Sequence, residues 1–283
     1  MPGQLLQVDV GDLTFDVRAD GPEDGRPVLL LHGFPQTSTS WSAVTPLLTA
    51  AGLRTYAPDQ LGYSPGARPA EVPAYSMQNL AQVTADLMTA LDVPVADVVG
   101  HDWGANVAWT LGAWHPDRLR TLTAVSVPHP TAYTVAFRAD PEPKERSAYI
   151  RLFWQEGKAE EVLLADDARR LRRMLTGGEG DSGVPAESVD EYVSVLSAPG
   201  ALTAALNWYR AMSSDIRVDP VGVPTTYVWS DGDVAIGRTA AEACANYVTA
   251  DYRFVELPGV THWIPEQAPD QLAAAILERV AAG

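Results

Sequence analysis

The stretch "VADVVGHDWGANVAWTLGAWH", residues 95 to 115, constrains the fold more than any other part of the chain. An apolar run of strand length passes through Gly100 and Gly104 into a helical pattern with almost no connecting loop. A strand that turns straight into a helix needs small residues at the corner, and it lifts the side chain between them, Asp102, clear of both elements. An aspartate before a helix is also an ordinary N-cap, so the corner alone leaves both readings open.

The same unit repeats. "PVLLLHG" reads as a fully buried strand, "WSAVTPLLTAAG" as a helix capped by Gly52, and "RTYAP" as a strand. "SMQNLAQVTADLMTALDV" is a helix behind Ser76, and "RTLTAVSV" is another strand. "QLLQVDV" and "LTFDVRAD" read as two strands about a "GD" turn at the start of the chain. After residue 213 the alternation resumes with "TTYVWS", "RTAAEACANYV", "YRFVEL" and "PDQLAAAILERVAA". Strand and helix in alternation predict a mostly parallel α/β sheet with helices on both faces and ligands at the carboxyl ends of the strands.

Between these halves the strand pattern stops. Charged helical segments such as "AEEVLLADDARRLRRML", broken by "TGGEGDSGVP", predict an inserted all-helical cap over residues 131–213, with the α/β core formed by 1–130 and 214–283. A cap set over strand ends can exclude water from a site.

Charge narrows the choice of partner. The chain carries 36 acidic and 20 basic residues, a formal net charge of −16, which repels nucleic acid and anionic membrane surfaces. A small molecule is the expected partner, and the oligomeric state, monomer or homodimer, is open. No apolar run reaches the roughly 18 residues of a membrane span, so the cytoplasm is the expected compartment. Cys244, the single cysteine, excludes an internal disulfide and reads as a small buried helix residue. The five histidines show no metal-ligand spacing, and neither metal nor organic cofactor is expected.

Three further segments end strands as the corner does. "LLLHGFPQ" places the Phe34 backbone N–H where it can join that of Trp103 in a two-donor oxyanion hole. His32 beside it reads as a packing residue. "YVWSDGDVAIG" offers Asp231 and Asp233, and "PGVTHWIPEQAPD" offers His262. A buried carboxylate on one imidazole nitrogen, with the other facing the site, makes a general base. The chain order of nucleophile, acid and histidine is that of the nucleophile-elbow enzymes.

On "HGFP", "GHDWG" and "THW" the chain resembles the α/β-hydrolase family, and within it the epoxide hydrolases, over essentially its whole length. The resemblance implies the fold and the activity, conversion of an epoxide to a vicinal diol through an ester on Asp102. It selects Asp233 over Asp231 as the acid. It also implies two cap tyrosines facing the nucleophile, Tyr149 in "SAYIRLFWQEGKAEE" and Tyr209 in "ALNWYRAM", and a substrate lining drawn from Phe34, Trp103, Phe153, Trp154 and Trp208. Leu61 in "PDQLGYS" departs from the basic residue that relatives often carry there.

An ionised aspartate attacks without a base, so His262 is free for a later water. The expected rate profile is a bell, limited by neutral His262 on the acid side and by protonated tyrosines on the alkaline side. A dehalogenase using the same aspartate is the rival reading, with Phe34 in place of a second halide donor. A non-catalytic ligand sensor of the same fold is a third.

Overall fold

The computed structural model describes residues 3–139, 149–177, 183–212 and 217–283. One eight-stranded sheet runs in the order β1-β2-β4-β3-β5-β6-β7-β8. Its strands are β1 (Gln4–Val10), β2 (Leu13–Asp20), β3 (Arg26–Leu31), β4 (Leu53–Pro58), β5 (Ala96–His101), β6 (Leu119–Val125), β7 (Thr225–Ser230) and β8 (Tyr252–Leu257). β1 and β2 form an antiparallel hairpin, β2 joins β4 antiparallel, and every pairing from β4 to β8 is parallel.

Parallel central strands must bury both faces, and β3 shows how. Leu29 and Leu31 join one apolar cluster with α2 (Met77–Ala90) and α3 (Trp103–Trp114), while Val28 and Leu30 join another with α1 (Thr45–Ala50) and the C-terminal helix Pro269–Ala282. The helix expected over 41–52 begins at Thr45, after a 3-10 turn at Ser38–Trp41. Pro46 lies in its first turn, where its missing N–H costs nothing. Cys244 is fully buried, as its apolar surroundings demand.

The secondary-structure elements described in the inserted segment are all helices: α4 (Pro130–Ala139), α5 (Ile150–Phe153), α6 (Lys158–Thr176), α7 (Ala186–Leu196) and α8 (Ala201–Arg210). α4 packs against α9 (Arg238–Ala243) of the core, whereas α5 to α8 pack on one another. α6 is interrupted at Ala165–Ala168, where Asp166, Asp167 and Ala168 adopt left-handed backbone angles. Part of the loop expected at 176–185 and the boundary expected at 213 to 214 lie outside the described residues.

Two kinds of contact fasten this layer. Arg210 donates to Glu160 Oε1 at 2.9 Å and to Phe153 O at 3.0 Å, binding α8 to α6 and α5 in a nearly buried pair. Trp208 Nε1 donates to Leu61 O at 2.8 Å and crosses to the core. The loop where Leu61 departs from the family pattern therefore makes a packing contact with the cap. Among the described residues no helix is long and apolar enough to cross a membrane.

Candidate active site

At the end of β5 the backbone of Asp102 takes φ 53° and ψ −117°, a conformation that costs a non-glycine residue roughly 1–3 kcal/mol. The glycines beside it serve a different purpose from the expected turn. A Cβ on Gly100 would sit 2.2 Å from Gly104 O, and one on Gly104 would sit 2.1 Å from Leu31 O. Close packing of β5, α3 and β3 excludes a side chain at both positions. The left-handed residue of the corner is Asp102 itself.

Asp102 occupies the N-cap position of α3, yet its side chain makes no capping bond. Instead Oδ1 accepts the Phe34 N–H at 2.9 Å, and the Trp103 N–H also favours the carboxylate. Parallel pairing sets this up, because Leu31 of β3 lies beside Gly100 of β5 and the two loops leave the sheet together. Gly33 permits the approach, since a Cβ there would meet Asp102 Oδ1 at 2.3 Å.

Oδ2 of Asp102 faces His262 Nε2 at 3.5 Å. His262 Nδ1 lies 2.9 Å from Asp233 Oδ2. Asp233 follows β7 and is held by two backbone donors on its other oxygen, Ala235 N–H at 2.7 Å and Ile236 N–H at 3.0 Å. Asp231, the alternative acid, is exposed and takes the Gly259 N–H at 2.6 Å. The structure thus brings Asp102, His262 and Asp233 together and leaves Asp231 out.

Electrostatics follow from this sandwich of one imidazole between two carboxylates. Burial alone would neutralise His262, but Asp233 and Asp102 outweigh it and raise its pKa to about 10. Burial likewise opposes ionisation of both carboxyls, and the hydrogen bonds and charge of His262 hold each below the ordinary carboxylate value. The resting site is therefore an imidazolium between two anions.

Ser126 was not found from the sequence. Fully buried directly after β6, with φ 66°, it donates to Asp233 Oδ2 at 2.7 Å and lies 2.9 Å from His262 Nδ1. Its position at a strand end beside the elbow was the available signal, but nothing in "AVSVPH" singles out a serine.

The cap supplies an aromatic roof. Tyr209 packs edge-on against Trp103 (centroids 5.0 Å apart), Phe34 (5.4 Å) and Phe153 (4.8 Å). Tyr149 lies 6.3 Å from the Tyr209 ring and 5.2 Å from Phe153. Burial, reinforced by the nearby Asp102 charge, pushes both phenols far above their ordinary pKa and keeps them protonated. Trp208 is buried against Trp103, its indole N–H already committed to Leu61 O.

Trp154 is not brought into this cluster. It is 56% exposed on the outside of the cap, and its Nε1 donates to Tyr209 O at 2.9 Å, so it braces α8 from behind and lines no site. Trp154 keeps helical backbone angles, and its neighbour Phe153 takes the inward place against Tyr209 and Phe34, since successive side chains of a helix point about 100° apart. His32 is buried with Nδ1 on Gly33 O and Nε2 receiving the Gln60 N–H, a packing histidine. Among the described residues no group of three or more histidine, cysteine and acidic side chains could hold a metal ion.

Known proteins share this arrangement of the chain. It is 34% identical to Epoxide hydrolase A of Mycobacterium tuberculosis, covering 90% of this chain and 91% of that one. A crystal structure of Epoxide hydrolase A from Mycobacterium thermoresistibile superposes with a TM-score of 0.85 at 26% identity, over 99% of this chain and 98% of that one. An epoxide hydrolase from Vigna radiata superposes with a TM-score of 0.86 at 26% identity, over 100% and 99%. The family model described as "Alpha/beta hydrolase family" matches residues 28–275, which takes in the elbow, the cap and the histidine loop alike. A match of that extent, on a sheet of this topology, establishes that the chain belongs to the α/β hydrolase family.

Proposed function

We propose that the protein is an epoxide hydrolase that forms a vicinal diol through an ester on Asp102. The observation that carries the reading is one carboxylate with its faces divided: Oδ1 on the Phe34 N–H, Oδ2 toward His262, and two protonated phenols in the roof above. An epoxide oxygen is a poor leaving group that needs a proton donor, and Tyr149 and Tyr209 supply it. A halide needs no proton.

In the first step Asp102 Oδ2 attacks a ring carbon, the carbon–oxygen bond breaks, and the oxygen takes a proton from the phenols. Charge then balances within the site. The ester removes one of the two anions that hold the proton on His262, so His262 gives that proton up and the phenol is restored. Neutral His262, still oriented by Asp233, takes a proton from water, whose oxygen attacks the Asp102 carbonyl carbon. The Phe34 and Trp103 N–H groups hold the resulting oxyanion, an arrangement whose single donors are commonly worth roughly 10²–10³ in rate. Collapse releases the diol and returns Asp102 and His262 to the anion and cation.

This sequence alters the expected bell. In the free enzyme His262 is already cationic up to about pH 10 while Asp102 is ionised, so kcat/KM has no histidine limb across neutrality. The acid limb appears in kcat, where the ester has lowered the His262 pKa and protonation of His262 blocks water activation. Rate profiles of the two parameters check this, and a shared acid limb near neutrality in both would reject it.

A single turnover in heavy-oxygen water tests the ester directly. The first diol released should carry an unlabelled oxygen derived from Asp102, with Asp102→Ala as the inactive control. Solvent label in that first product would show direct hydration and overturn the reading.

A further inference from the structure

Behind His262 a line of side chains runs from the catalytic loop to the cap. His101 Nε2 lies 2.8 Å from the His262 carbonyl oxygen, and His101 Nδ1 lies 3.0 Å from one end of the Gln36 side-chain amide. The other end of that amide lies 2.6 Å from Glu266 Oε1, in the short helix Ile264–Gln267. Tyr192 of α7 closes the line, donating to the same oxygen at 2.9 Å. Glu266 Oε2 is sealed from solvent with no hydrogen-bond partner.

Counting protons along this line decides its charge state. A carbonyl oxygen only accepts, so His101 Nε2 must carry a hydrogen. With Gln36 Oε1 turned to His101 and Nε2 to Glu266, Nδ1 must carry one as well, and His101 would be a buried cation. Burial and the neighbouring His262 charge push its pKa down to about 4, which excludes that state near neutrality. Neutral His101 needs a donor at Nδ1, so the amide must present its NH₂ to His101 and its oxygen to Glu266. Two oxygens then face each other at 2.6 Å, a separation that requires a hydrogen between them.

We infer that Glu266 is held as a neutral acid and serves as a positioning residue: its proton, donated to the Gln36 oxygen, fixes the amide orientation that lets His101 hold the His262 carbonyl. The unpartnered Oε2 fits the same state, because a buried anion would leave full charge on an unsatisfied oxygen.

The groups facing Glu266 come from each side. Tyr192, with Glu191 beside it and Thr39 at its hydroxyl, comes from the cap and the 3-10 turn below it. Gln36 and, more distantly, His262 come from the core. Burial dominates them and raises the Glu266 pKa to about 7. Above that value Gln36 must turn its NH₂ to the carboxylate, and His101 Nδ1 loses its donor.

The test has an arm that needs no substrate and an arm that rests on the epoxide reading. An infrared difference spectrum of the free protein, wild type minus Glu266→Gln, should show a protonated-carboxyl band on the acid side of neutrality, lost as pH rises through about 7. Absence of the band overturns the inference, whatever the protein turns over. In single turnovers, decay of the Asp102 ester should fall roughly fivefold through the same titration, the rate equivalent of one ordinary hydrogen bond.

Glu266→Gln, whose amide donates to Gln36 at every pH, should remove that step. Tyr192→Phe should move it to higher pH, because the Tyr192 hydroxyl favours the carboxylate. A wild-type step that persists in Glu266→Gln, or stays in place in Tyr192→Phe, overturns the positioning role.

Discussion

Replacing His262 with glutamine is expected to stop the reaction between its two chemical steps. Steady-state turnover should fall by roughly 10⁴-fold, the upper range for losing a positioned base, while Asp102 is still consumed. The variant should then accumulate an adduct of one substrate mass on the peptide containing Asp102, detectable after rapid quenching. Only the second step asks His262 to act as a base, because the first is an attack by the Asp102 carboxylate, which the Phe34 and Trp103 N–H groups still favour when the His262 charge is removed. Glutamine keeps a donor near Asp102 Oδ2 but cannot take a proton from water. A variant that turns over normally, or one that loses turnover without any adduct, would show that His262 is not the base for ester hydrolysis.

Removing both roof phenols should block the earlier step. The double variant Tyr149→Phe/Tyr209→Phe is expected to lose about 10²–10⁴-fold in ester formation, the usual contribution of a positioned acid, with no adduct even in the His262→Gln background. Both rings make their packing contacts through edges that phenylalanine retains, so the roof should stay folded. Each single variant should lose less than the pair, since two hydroxyls next to one another share one oxygen. Comparison of halide release from haloalkanes separates the readings further: a site whose phenols are dispensable, and which releases halide, would belong to the dehalogenase alternative.

Much of this site was legible in the chain because its residues lie at strand ends, and strand ends have local signatures. Asp102, His262 and the pair Asp231 and Asp233 each follow an apolar run closed by small or polar residues. The Phe34 donor was visible for the same reason. The choice of Asp233 over Asp231 rested on family resemblance; in the structure it is made by the loop after β7, which turns one side chain under His262 and the other to solvent. Ser126 and Glu266 left no comparable mark. A buried serine after a strand and a glutamate in a short helix are common, and they acquire meaning only from partners 107, 136 and 230 residues away.

By itself, then, the sequence determined the alternating α/β frame and which carboxylate, imidazole and phenol side chains are the candidates for a site at its strand ends. These follow from hydrophobic period and local turn chemistry, which act over a few residues. Only the tertiary structure decided the charge of those groups and the direction of the aromatic side chains. His262 becomes a cation because two distant carboxylates enclose it, Trp154 points outward because its helical neighbour Phe153 takes the inward side against Tyr209, and Glu266 faces Gln36 and Tyr192 because cap and core close over it. Burial and Coulomb energy depend on what surrounds an atom in space, and the order of residues along a chain carries that information only after the chain has folded.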